Sequence, residues 1–194
     1  MTAISLITAP ATLPVTLAEL KAHLRVSVAD DDDYLDDLIT VATEFVEDYC
    51  SNRFISQTWE YYLDSFPTDT AIKMPFGKLI SVTTLKYTDS GGTENTWDSG
   101  NYLVDTVSSP GKIDLAYNVY WPTATLKPAN GVVVRFVTGY STLPTKIHHS
   151  IMLYAGLLYE NREPVIVGTT GRSSLVKVPF TLEALMADYI MRQF

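Results

Sequence analysis

Residues 144–163, PTKIHHSIMLYAGLLYENRE, decide the predicted fold class. Apolar residues recur there at helical spacing, namely Ile147, Ile151, Ala155 and Leu158. Further apolar and aromatic residues widen this stripe most of the way round the helix: Met152, Tyr154, Leu157 and Tyr159. A helix that is apolar on nearly every side is usually buried, and Pro144 and Pro164 mark its two ends. The stretch therefore predicts a central buried helix, too short to cross a membrane.

An N-terminal helix pair is predicted to pack against this central helix. Thr16 and Glu19 have the spacing of a capping box, in which the two side chains satisfy free backbone N–H groups at a helix start. A second helix is predicted from about Asp33 to Cys50, because its apolar residues form one stripe: Leu35, Leu38, Ile39, Ala42, Phe45, Val46 and Tyr49. Its other face carries acids.

Residues 57–140 instead predict a series of short strands. Alternating and β-branched segments are separated by turn sequences, namely Asp89–Gly92, Pro110-Gly111 and Asn130-Gly131. The order of helices, strands and helices predicts an α+β class. In this prediction an antiparallel β module is inserted into an antiparallel helical bundle, which consists of the N-terminal pair, the long central helix and a C-terminal helix.

The last part of the chain is predicted to be a loop followed by a helix. Residues 164–179 centre on a Gly-Thr-Thr-Gly sequence, and residues 181–194 place apolar side chains on one helix face: Leu182, Leu185, Met186 and Tyr189. The predicted organisation is a single domain over residues 1–194, with a helical core of residues 16–53 and 144–163, a β module of residues 57–140, and a terminal segment of residues 164–194.

Charge and composition limit the class of function. The chain has 194 residues, 46% of them hydrophobic, and a net charge of −8. Lys and Arg drive phosphate binding, so this excess of acid argues against a protein that grips DNA or an anionic membrane. An acidic wall would instead repel passing DNA and prevent it from sticking. The N-terminus lacks the basic region of a signal peptide, which predicts a protein kept in the cytoplasm until it is assembled.

The sequence offers weak candidates for a metal site or for catalysis. The acids Asp30–Asp33 lack the spacing of an EF-hand loop, so they are interpreted as helix capping and a solvated acidic face. His148 and His149 are adjacent and would point about 100° apart on a helix. Cys50 has no neighbouring His in the sequence to activate it. We therefore expect no metal, no cofactor and no enzymatic activity.

The tryptophans suggest one alternative. Trp59, Trp97 and Trp121, together with many tyrosines, are suited to a platform that recognises a sugar, as in a tail or baseplate binding module. Strands and cores also favour aromatic residues, which is the simpler interpretation.

A set of motifs, in order and spacing, resembles one known family. They run from about Leu17 to Glu163: Leu17–Val26, Asp31–Asp33, Leu35, Leu38-Ile39, Glu47–Tyr49, Arg53, Gln57–Trp59, Asp64–Pro67, Ser81–Thr83, Tyr87, Trp121-Pro122, Val132–Phe136, Gly139-Tyr140 and Tyr159–Glu163. This combination is similar to the head–tail connector, or adaptor, proteins of long-tailed bacteriophages and of gene transfer agents.

The resemblance implies a structural protein of the virion neck, present in the host cytoplasm before assembly. Such proteins form a ring below the portal of a DNA-filled head and receive a stopper or tail-completion protein. The portal ring is dodecameric, so a matching ring is expected, with DNA passing its channel without specific binding. The resemblance brings no catalytic residues.

Two sets of residues are predicted to serve this role. The terminal segment is predicted to dock on the portal through four residues: Phe180, Leu185, Tyr189 and Phe194. Four acids of the second helix are predicted to face the channel: Asp36, Asp37, Glu44 and Asp48.

Overall fold

The chain folds into two compact units, each built from two separate parts of the sequence. The computed structural model describes residues 2–162 and 180–191, together with the backbone of residues 165–167 and 173–175. Residues 1–11 and 52–141 form a β unit, and residues 12–51 with the chain from residue 142 onward form a helical unit. The α+β class and the antiparallel sheets are as predicted, while the assignment of all 194 residues to a single domain stays a prediction.

The β unit contains two antiparallel sheets. Its strands are β1 (Thr2–Thr8), β2 (Gln57–Leu63), β3 (Ala71–Lys73), β4 (Leu79–Thr88), β5 (Glu94–Trp97), β6 (Tyr102–Asp105), β7 (Lys112–Leu115) and β8 (Val132–Thr138). The larger sheet has the order β1-β2-β8-β4-β5, and the smaller has the order β3-β7-β6. A single 3-10 turn, Ser99–Asn101, precedes β6.

Strand β8 organises the larger sheet, because it pairs with β2 on one side and β4 on the other. Its residues alternate in exposure, with Val132, Val134 and Phe136 buried and Arg135 exposed. The buried side chains join those of β4 and of the smaller sheet, including Leu85 and Ile113, in one apolar cluster. Residues of both sheets therefore form the core of this unit.

Strand β1 belongs to the larger sheet although it precedes the helices in the sequence. The structure pairs Thr2 to Leu6 with β2 in an antiparallel arrangement. The register shifts between Leu6 and Thr8, which leaves one extra residue in β1. The partner of a strand is set by tertiary contacts and not by its own residues, so the pattern alone did not reveal the pairing.

The helical unit consists of α1 (Leu17–Leu24), α2 (Asp32–Cys50), α3 (Thr145–Glu160) and α4 (Phe180–Met186). The predicted capping box at the start of α1 is confirmed: the backbone N–H of Glu19 donates to the Thr16 hydroxyl, and the Glu19 carboxylate accepts from the Thr16 N–H. Helices α1 and α2 both pack against α3, as predicted for the N-terminal pair.

Helix α3 is buried along one face and half-buried along the others. Ile147, Ile151 and Ala155 are buried, whereas Tyr154 and Leu157 are only partly covered. The described part of the chain therefore leaves some apolar side chains of α3 partly exposed.

The segment after α3 differs from its prediction in two respects. Two short antiparallel strands, β9 (Val165–Val167) and β10 (Ser173–Leu175), lie within the predicted loop, in line with the strand preference of a Val-Ile-Val run. Helix α4 ends at Met186 and continues as one 3-10 turn, Ala187–Tyr189, so it is shorter than the predicted helix. After the 3-10 turn, the Met191 N–H donates to the Cys50 carbonyl at 2.8 Å, so the chain there bonds to the end of α2.

Within the described residues, no helix is both long and apolar enough to cross a membrane.

The capping box provides a test of the helical unit. The substitution Thr16→Ala removes the side chain that caps α1 and should lower the free energy of unfolding by about 1 kcal/mol in urea denaturation. Thr40→Ala is the control, because Thr40 is exposed inside α2 and Ala is the better helix former. An equal loss of stability in both variants would contradict a specific contribution of the cap.

Candidate interaction surfaces

Helix α4 presents an exposed aromatic residue next to its buried face. Leu182 and Met186 are buried in the helical unit, whereas Phe180 at the start of the helix is 82% exposed. Leu185 and Tyr189 are half-buried. Among the predicted portal-contacting residues, Phe194 lies outside the described residues.

Two contacts hold the end of this helix on the unit. The Lys146 ammonium of α3 lies 2.6 Å from the Asp188 carboxylate, and Met191 is bonded through its backbone to Cys50, the last residue of α2. The ion pair is exposed and contributes little stability by itself. Burial of Leu182 and Met186 therefore contributes most to holding α4 in place.

A groove of about 430 Å³ lies beside α4 in the helical unit. Its lining comes from α1, α3 and α4 and from the residue that ends α1: His23, Leu24, Arg25, Leu153, Tyr154, Gly156, Leu157, Glu160, Thr181 and Leu182. Gly156 allows α1 to approach closely, because a Cβ at this position would lie only 3.2 Å from the Leu24 Cδ2 atom. The lining combines apolar side chains with both signs of charge, which suits an amphipathic protein segment.

The acids in and just before α2 differ in their surroundings, and Glu47 among them is buried. Asp36, Asp37, Glu44 and Asp48, which we call the acidic face, are all exposed. Asp31 and Asp32, at the start of the helix, instead contact other parts of the helical unit. Asp32 accepts from the Lys21 ammonium of α1 at 2.5 Å.

Asp31 is held by the end of α3. It occupies the N-cap position of α2, but its side chain makes no capping hydrogen bond there. Its carboxylate accepts from the Tyr159 hydroxyl at 2.7 Å and from the Arg162 guanidinium at 3.3 Å. The guanidinium also lies 4.8 Å from the ring centroid of Tyr34. We call these four residues the Asp31 cluster; it joins the start of α2 to the end of α3.

The cluster corrects the interpretation of Asp31 as a helix cap, whereas Asp30 and Asp33 are exposed as a solvated face requires. The sequence signal for it was the spacing of Tyr159 and Arg162, three residues apart at a helix end, which brings two hydrogen-bond donors to one side. The Tyr159 hydrogen bond, followed by Arg162, lowers the pKa of the Asp31 carboxyl below its ordinary value of 3.8.

The described residues contain no group of three or more His, Cys, Asp or Glu side chains that could hold a metal ion. His149 packs edge-on against His23, with ring centroids 6.0 Å apart, and His148 lies 3.5 Å from the Glu19 carboxylate. Cys50 is buried, and burial, followed by the charge of Glu47, raises the pKa of its thiol to about 12. A thiol that stays protonated is a poor nucleophile.

The three tryptophans contribute to the packing of the β unit. Trp97 lies 5.1 Å from Trp121 between ring centroids, and Phe66 stacks on Trp121 at the same distance. Trp59 packs edge-on against Phe76 at 5.0 Å. The tryptophans are thus half-buried among neighbouring rings, which agrees with a packing role, and the sugar-binding platform stays a prediction.

Comparison with known proteins gives one family and several solved structures. The family model described as Phage gp6-like head-tail connector protein matches residues 14–110, which is half of the chain. No curated protein sequence matches at a significant level. The chain belongs to the Phage gp6-like head-tail connector family, which places it at the head–tail junction of a virion.

The fold is similar to subunits of gene transfer agent (GTA) particles over nearly its whole length. The neck of an empty GTA particle computed with C6 symmetry contains a chain with a TM-score of 0.80 and 20% identity, covering 99% of this chain and 97% of that chain. A chain in the virion of a native GTA particle gives a TM-score of 0.79 at 19% identity, covering 98% and 96%. The neck of a native GTA particle computed with C12 symmetry gives 0.77 at 20% identity, covering 99% and 97%.

The Asp31 cluster predicts a pH dependence of stability. Its hydrogen bonds lower the folded-state pKa of Asp31, so the carboxylate stabilises the fold above about pH 4, and this contribution is lost as the pH falls through the folded-state value. Asp31→Asn should therefore lower the Tm at pH 7 and reduce the further decrease in Tm between pH 7 and pH 3.

Asp30→Asn is the control, because Asp30 is the exposed neighbour in the same run. Differential scanning calorimetry of the three proteins at both pH values is the measurement. Equal profiles for the two variants would contradict a specific role of Asp31.

Proposed function

We propose that this chain is the head–tail adaptor of a virus-like particle. Its subunits form a ring below the portal, join the DNA-filled head to the next neck or tail protein, and leave a channel for DNA. Membership of the connector family carries the proposal. The fold similarity to chains from necks computed with C6 and C12 symmetry supports the ring, because both symmetries are cyclic.

In this proposal the ring is dodecameric and its partners are the portal protein, a stopper or tail-completion protein, and further copies of the chain. Cyclic rings use heterologous contacts, in which two different faces of each subunit meet. The four helices serve as an antiparallel bundle, and both units act together as one domain. The protein has no catalytic role; the protonated thiol of Cys50 fits this part of the proposal.

Portal docking is assigned to Phe180, Leu185, Tyr189 and Phe194. The exposure of Phe180 supports this assignment, because aromatic residues are enriched where protein partners meet. The groove beside α4 adds apolar surface close to Phe180, since Thr181 and Leu182 line it. Leu182 and Met186 are not assigned to the portal contact, because they are buried and hold α4 on the helical unit.

The channel lining is assigned to the acidic face. All four side chains are exposed, and the sequence from Asp30 to Asp48 contains acids and no Lys or Arg. A surface of this charge repels the phosphates of DNA and lets it slide past.

The first test measures binding to heads. The purified chain should co-sediment with DNA-filled, tailless heads in a saturable manner, at one ring per head. Phe180→Ala should weaken this binding about tenfold or more, the usual effect of truncating an interface anchor, and should leave the Tm unchanged because the side chain is exposed. Tyr117→Ala is the control, because it removes another exposed aromatic side chain, in the β unit.

The two parts of this proposal fail separately. A folded wild-type chain that does not bind heads with an exposed portal would overturn the adaptor function. Wild-type binding that Phe180→Ala leaves unchanged would overturn only the assignment of Phe180 to the portal contact.

The second test concerns the channel. Reversing Asp36, Asp37, Glu44 and Asp48 to Lys brings the net charge from −8 to zero, since each reversal adds two charges. The reversed chain should bind duplex DNA with an affinity that decreases as salt increases, whereas the wild type should not bind. Asn and Gln at the same positions form the control that removes charge without reversing it. Particles that carry the reversed chain and still release DNA at the normal rate would contradict the channel position.

A further inference from the structure

Strand β1 is an exposed edge of the larger sheet. It pairs with β2 on one side, and no other strand of the described chain pairs with its outer side. All seven of its residues are exposed, and the large apolar ones, Ile4, Leu6 and Ile7, are each more than 40% exposed. An edge strand directs alternate N–H and C=O groups outward, so β1 offers both backbone hydrogen bonds and apolar side chains to a further strand.

Most of this edge lacks the usual protection against pairing, because its register shift lies near the end of β1, between Leu6 and Thr8. Natural edge strands carry charged residues or Pro, or are very short. The β1 sequence, Thr-Ala-Ile-Ser-Leu-Ile-Thr, contains no charged residue and no Pro, and the first charged residue of the whole chain is Glu19. The opposite edge of the same sheet, β5, is four residues long and carries Glu94, paired with Lys86. Only β1 therefore combines length, apolar side chains and neutrality at an edge of this sheet.

The net charge of the chain indicates which kind of partner binds the outer edge of β1. Copies of a chain with a net charge of −8 repel one another, so self-association requires a surface without acids. Strand β1, which is exposed and carries no charged side chain, is such a surface. A strongly basic partner would find no acid there to pair with.

We propose that β1 is a subunit–subunit contact, in which its outer edge adds to a second copy of this chain in a head-to-tail arrangement. The inference rests on the proposed ring. Pairing of β1 with β1 of another copy would be isologous and would close as a dimer, whereas pairing with a different surface can continue around a ring. The contact is a strand addition, in which backbone hydrogen bonds supply affinity and alternate side chains supply specificity.

The test compares the assembly of three proteins by sedimentation velocity over a series of concentrations. Leu6→Lys places a charge on the edge, where Leu6 is 44% exposed, and should raise the concentration for half-assembly about tenfold or more. Leu103→Lys is the matched control, because Leu103 is 55% exposed on β6 of the smaller sheet, and it should assemble like the wild type. Hydrogen exchange of the wild type provides an independent measurement: the amides of residues 2–8 should become protected upon assembly.

Each outcome decides the inference. Loss of assembly in Leu6→Lys alone, with protection of β1 in the wild-type assembly, supports it. Assembly of all three proteins without protection of β1 overturns it and leaves the ring and adaptor proposals standing. A wild type that stays monomeric with unprotected β1 amides, or that stops at dimers, also overturns it, while binding to heads separately decides the adaptor function.

Discussion

The helical unit depends on the contact between α2 and α3. These helices lie on either side of residues 52–141 in the sequence, so the contact closes a long stretch of chain. Phe45 stacks on Tyr154 with ring centroids 4.0 Å apart and planes within 12° of parallel, next to buried aliphatic residues on both helices. The Asp31 cluster adds a polar contact at one end of the pair. Helices α1 and α4 also pack on α3.

Those parts of the fold that depend on local chemistry could be predicted from the sequence. Thr16 and Glu19 satisfy backbone groups three residues away, and the structure forms the capping box as predicted. The hairpin between β4 and β5 turns where Asp89–Gly92 predicted it, with Gly92 at a positive φ of 87° that favours glycine. The turn before β8 contains Asn130, also at positive φ.

The parts that could not be predicted depend on residues distant in the sequence. Nothing within residues 2–8 identifies β2 as the partner of β1, because the seven residues suit any sheet edge. Asp31 was assigned to its own helix, whereas its carboxylate accepts hydrogen bonds from Tyr159 and Arg162, which follow the β unit in the sequence. The acidic face was recognisable because exposure of charged residues opposite an apolar stripe follows from helix geometry alone. The assembly determines which partner contacts the acidic face, so no pattern in the sequence of α2 identifies that partner.

The division of the chain has a consequence for fragments. The backbone passes between the units three times, near residues 11, 51 and 141, so neither unit is a continuous piece of sequence. A protease cut near residue 51 would leave two polypeptides, each carrying part of both units and each needing the other to complete them. A cut near residue 141 would detach α3 from the chain that bears α2. Expression of a contiguous half would therefore yield no intact unit, and reconstitution requires the two complementary fragments together.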